Sequence, residues 1–240
     1  VERRAQLVAQ IGDELLFGAP FLDLANHDLV TSHLHAVWLA ESGCALDPDV
    51  SKSVDLDDPN WRLVKELREV VEHPDLQRRS RRAMEEVLAL LASELTAANA
   101  PWYPGATSFA NEIATKAVAR FGEAFDRWRA MYRSAISQRD EARRVMDNHT
   151  LPQRERENAK RRHAQALDQL DLLRQQREQE NTDFFSYRYL ATEGFLPGYN
   201  FPRLPLTAFV PSSRDRGGAF LQRARFLGLS EFGPRSLVYH

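Results

Sequence analysis

The feature that most constrains this chain is the stretch from Thr107 to about Glu180, more than seventy residues in which helical spacing hardly lapses. Phe109, Ile113, Val118, Phe121, Phe125, Trp128, Tyr132, Ile136 and Val145 recur at steps of mostly three and four. That spacing lines one face of an α-helix and rules out a sheet, whose faces repeat every second residue. The pattern predicts one helix over 107–148, with Ser108 as N-cap and Glu112 assisting it. "DNHTLP" then breaks the run, and Pro152 suits the first turn of a second helix, from Gln153 to about Glu180. Its apolar face is thin: Ala159, Ala166, Leu167, Leu170 and Leu173. A short turn between two long helices implies an antiparallel hairpin over 107–183. A forty-residue helix would extend about 60 Å, so the tip should project.

The first 106 residues read as further helices. "VERRAQLVAQIGDELL" forms one, broken at Gly18 and Pro20. "LVTSHLHAVWLAE" forms the next, with Asn26 or Asp28 as cap and Gly43 as its end. Residues 44–60 hold five Asp and two Pro, an acidic loop expected to be a solvated surface. Trp61, Val64, Leu67, Val70 and Val71 then line a helix face, and Pro74 opens or interrupts another that runs to about Ala98. From 184 the character changes. "DFFSYRYLATEGF" continues as a short helix, while "LPLTAFVP", "RARFLGL" and "RSLVYH" read as strands, punctuated by Gly217-Gly218 and Gly233-Pro234. The expected fold is therefore mainly α: a helical region over 1–106, the long hairpin over 107–183, and a small β-containing segment over 184–240.

Charge and missing motifs narrow the function. The net charge is −2, so any contact with a polyanion must come from a local patch. The chain has one cysteine, Cys44, which excludes an internal disulfide and fits the cytoplasm. It reads as a small packed thiol. There is no signal peptide and no apolar run long enough for a bilayer, so no membrane partner is expected. Phosphate loops, G-x-G-x-x-G turns, H-E-x-x-H pairs and G-x-S-x-G elbows are missing, and no catalytic centre or metal site is assigned. His33 and His35, two apart on a helix, point to different faces and would not chelate one ion together. Asp23, Asp28 and Glu41 are carboxylates with no partner legible from spacing. Val1 at the start and "SLVYH" at the end make the chain read as a piece of a longer protein.

The last 57 residues hold seven Arg, no Lys and three acids, a local charge of +4. A guanidinium fork binds phosphate in two places and stacks on rings. Tyr187, Tyr189, Phe195, Tyr199 and Phe201 interleave with these cations, as a surface that stacks bases while holding a backbone would require. Arg223 and Arg225 would share a strand face. The residues singled out for nucleic acid are Arg203, Arg223, Arg225, Arg235 and Tyr199. The alternative is that the rings are core and the arginines pair with acids. For the hairpin too, two readings stay open. Its charges are a solvated face, or its mildly basic tip, "RDEARR" and "RERENAKRRH", touches a partner protein.

"LDLANHDLVTSHLHAVWLAE" and "GYNFPRLPLTAFVP…FLQRARFLGLSEFGPRSLVYH" together resemble a region of large bacterial superfamily 2 helicases, downstream of their two RecA-like motor lobes. The blocks also resemble the helicase of DISARM-type anti-phage defence systems. The resemblance covers about sixty residues in two blocks. It implies an ATP- and Mg-dependent DNA translocase in the parent protein, with the motor lobes as partners. It assigns neither cofactor nor catalytic residue to this stretch, whose expected role is an accessory module that engages nucleic acid, DNA above all. The alternative function is a scaffold that docks a partner subunit through the hairpin.

Overall fold

A computed structural model of the chain describes residues 24–174, 185–198, 206–210, 219–223 and 225–233. The fold is mainly helical, as the periodicity requires. The expected helix over residues 1–16 and the strand "RSLVYH" lie outside the described residues.

Helix α1 (His27–Ser42) begins where Asn26 accepts a hydrogen bond from Leu29 N–H at 3.0 Å and ends at Gly43, whose φ of 67° needs a residue without a Cβ. Asn26, not Asp28, is thus the cap. The acidic loop that follows is not merely solvated. Asp47, Asp49, Asp55 and Asp58 each accept from a backbone N–H two residues on, at 2.8–3.0 Å. These turns fold the loop around a short 3-10 turn (Val50–Ser53), burying Val50 and Val54. Helix α2 (Lys65–Val71) buries Leu67 and Val71 but leaves Val70 exposed, against expectation. Pro74 opens α3 (Pro74–Leu90), with the His73 ring accepting from Asp75 N–H. That helix stops at Leu90, well short of Ala98.

The predicted helix over 107–148 is two helices, α4 (Ala106–Glu123) and α5 (Asp126–Asp147). Its N-cap is Gly105, at φ 101°, not Ser108. The break at Ala124–Phe125 contains no Pro, and both residues keep right-handed helical angles. Its cause is side chains reaching into the backbone ladder. The Tyr189 hydroxyl accepts the Trp128 N–H at 3.0 Å. The Arg129 guanidinium donates to the Gly122 carbonyl at 2.7 Å and to the Trp61 carbonyl at 2.8 Å. The backbone groups released by the break are therefore bonded elsewhere, as buried polar groups must be.

The hairpin consists of α5 and α6 (Gln153–Leu173), turned by Asn148, whose side chain accepts from Thr150 N–H. At 22 residues α5 is about 33 Å long, roughly half the reach expected from an unbroken helix. Ala135 and Ala142 on α5, and Ala159 and Ala166 on α6, are buried at matching seven-residue intervals. Small side chains along this seam let the two backbones approach closely. Leu167, expected on the apolar face, is 41% exposed.

One core joins α1, α3, α4, the base of the hairpin and the segment around helix α7 (Ser186–Thr192). Trp38 sits at its centre, with Phe121 and Phe195 against it at ring separations of 5.6 and 6.0 Å. Near the C-terminal end, β1 (Leu206–Val210) and β2 (Ala219–Arg223) pair antiparallel, Leu206 opposite Arg223 and Phe209 opposite Phe220. "RARFLGL", expected as a strand, is mostly helix α8 (Arg225–Glu231). A five-residue apolar run carries no period by which strand and helix can be told apart.

The Tyr189 bond gives a direct test of the break. Tyr189→Phe leaves the buried Trp128 N–H without its acceptor and should cost about 1–3 kcal/mol in urea unfolding. An unchanged midpoint would mean that the hydroxyl does not hold the break.

Candidate nucleic-acid interface

The five residues singled out for nucleic acid do not form one described surface. Arg203, Tyr199 and Arg235 lie outside the described residues, and of Arg225 only the backbone is described. Arg223 ends β2 and Arg225 begins α8, so the two do not share a strand face. The Arg223 Nε–H donates to Glu231 Oε2 at 2.7 Å, a charge-assisted bond. The interleaved rings divide. Tyr189 and Phe195 are buried in the core, where they cannot meet a base, while Tyr187 is 45% exposed.

The distal hairpin holds what the sequence placed second. Between Arg139 and Arg162 eight Arg and Lys stand against five Asp and Glu. Arg139 pairs with Asp140 at 2.7 Å, and Arg143 lies 3.8 Å from Asp147. Arg154, Lys160, Arg161 and Arg162 are exposed on α6, and no carboxylate among the described residues lies within ion-pairing distance of them. Arg154 and Arg161 are seven residues apart, on one helix face and about 10 Å apart along the axis. Consecutive cations at 160–162 spread around more than half of a turn. Such a surface attracts polyanions and is screened by salt.

His33 and His35 each bond a backbone carbonyl. His33 Nδ1 donates to the Leu29 carbonyl at 2.7 Å, and His35 Nδ1 donates to the Phe195 carbonyl at 3.3 Å. Among the described residues no three metal-ligating side chains converge. The Cys44 thiol is half-buried, and burial pushes its pKa up, away from the reactive thiolate. Burial also pushes the Tyr189 phenol up to about 12, with the nearby Glu193 carboxylate adding to the effect, so the hydroxyl stays neutral while it accepts from Trp128. Among the described residues no helix is long and apolar enough to cross a membrane.

The unpaired cations on α6 were the least conspicuous part of the sequence, because acids flank them on both sides. Their only signal was the run "AKRRH". No protein family, curated protein or solved structure matches this chain.

Proposed function

We propose that this chain is an accessory module of an ATP-driven DNA translocase and that its helical hairpin holds the nucleic-acid backbone. The observation that carries the reading is the exposed cluster Lys160, Arg161 and Arg162 with Arg154, cations that no described carboxylate neutralises. The cations are presented on helix α6, not on a loop. The resemblance of the two terminal blocks to superfamily 2 helicases supplies the context, and Arg203, Arg225, Arg235 and Tyr199 are proposed as a second contact. Arg223 is left out of that contact because Glu231 already holds it.

The test is charge reversal at three solvent-facing positions, Lys160→Glu, Arg161→Glu and Arg162→Glu together. Anisotropy with labelled single- and double-stranded DNA should show the affinity of the 240-residue chain falling about tenfold or more. Unchanged affinity, with the helical circular-dichroism signal intact, would refute the reading. A partner-docking scaffold is favoured instead by Leu167, a large apolar side chain left exposed on α6. That reading requires co-purification of a protein that Leu167→Glu abolishes and the charge reversal spares.

A further inference from the structure

A cleft of about 380 Å³ opens between the first turns of α1, the last turn of α4 and the segment Glu193–Phe195. His35 forms part of its wall and is only 6% exposed. Its ring stacks on Phe195, with centroids 4.5 Å apart and planes 6° apart. Because Nδ1 carries the proton that bonds the Phe195 carbonyl, Nε2 keeps its lone pair and can only accept. No described residue donates to it. One helical turn earlier on the same wall the Thr31 hydroxyl is buried, also without a hydrogen-bond partner. A buried hydroxyl left unpartnered is unusual, since nearly all such groups find partners.

The charged lining is acidic: Asp28, Glu123 and Glu193 against Arg120. Arg120 already lies 3.1 Å from Glu123, so it is not free to receive an anion. Glu193 is likewise held by Arg127, which leaves Asp28 as the lining carboxylate that no described Arg or Lys balances; an anionic ligand would meet it, and an apolar one would leave Nε2 unsatisfied. A cation bearing N–H groups satisfies both conditions, donating to Nε2 while the carboxylates balance its charge.

We propose that this cleft binds an organic cation with N–H donors, a guanidinium or an alkylammonium. The site lies against the break between α4 and α5. Ala124 lines it, and Glu193 lines it while also holding Arg127, on the first turn of α5, at 2.8 Å. A bound cation therefore touches both sides of the joint from which the hairpin springs. This inference is independent of DNA binding.

The experiment titrates the histidine-labelled chain with butylguanidinium, butylammonium and the neutral isostere butylurea, reading the His35 ring nitrogens by NMR. Butylguanidinium or butylammonium should shift the Nε2 resonance saturably, and which of them does so tells guanidinium from alkylammonium. Butylurea should bind about tenfold more weakly or worse. Glu123→Gln, at an exposed position that spares the core, should weaken the cation severalfold. The proposal fails if neither cation gives saturation, if butylurea matches them, or if Glu123→Gln changes nothing. DNA binding that persists in any of these cases leaves the hairpin reading untouched.

Discussion

Trp128→Ala should cost about 3–5 kcal/mol and detach the hairpin base from the core before the rest of the fold yields. Trp128 is fully buried at the start of α5. Its ring stacks on Tyr132 at 4.9 Å, and its Nε1–H donates to the Leu173 carbonyl at 3.2 Å, near the end of α6. One side chain thus closes the hairpin at its base, where Arg174 also donates to the Tyr132 hydroxyl. Removing the indole leaves a cavity bounded by both helices and an unpaired carbonyl. Trp128→Phe keeps one ring in the stack but loses the Nε1 bond and leaves a smaller cavity, so it should cost less, about 2 kcal/mol. Urea unfolding measures the difference. Amide exchange should show protection falling first near the C-terminal end of α6. Equal losses for the two variants would mean that packing at this position counts for nothing.

The second large effect is with pH. Burial holds His35 down to about 4, against the bond to Phe195, which raises it; nearby Arg120 lowers it further. The unfolded chain protonates this ring near its ordinary value of about 6.5. Above that pH neither state binds the proton, and the neutral ring's contribution is complete. Between pH 6.5 and 4 the unfolded state takes up a proton that the native state refuses, so stability falls as acid is added. The loss should total roughly 3 kcal/mol. Asp58, held low chiefly by its bond to Arg62, responds to more acid conditions than this window. His35→Asn keeps a side-chain N–H and removes the titration. Its stability should be flat from pH 6.5 to 5 where the native chain declines. Parallel curves for the two proteins would show that His35 is not the group responsible.

What the sequence disclosed followed from local chemistry. Asn26 and Gly43 bound α1 because an amide side chain and a missing Cβ are needed at those two ends. Pro74 starts α3 for an equally local reason. The break at Ala124–Phe125 left only a weak local signal, Gly122, which a helix interior tolerates. It is made by Tyr189, 61 residues further on than Trp128. The loop aspartates misled differently. Five carboxylates in a row of turns look like surface, yet four of them tie the backbone. That signal was available, since Asp favours bonding an N–H two residues on. At the candidate site the composition of the tail drew attention to arginines there. The pairing of Arg223 with Glu231 depends on a strand passing into a helix, a change that no short apolar run announces. The hairpin's small-residue seam was half legible: Ala159 and Ala166 were read as its face, but their counterparts Ala135 and Ala142 hid beneath the larger aromatic stripe.

The central claim is that cations standing clear of the described acids on α6 meet phosphates. Its most direct measurement is the slope of log affinity for duplex DNA against log salt concentration. The account predicts a clearly negative slope for the native chain, about −0.9 for each phosphate engaged, and a shallower one once Lys160, Arg161 and Arg162 are reversed. A flat line for the native chain, or slopes that coincide for the two proteins, would contradict it.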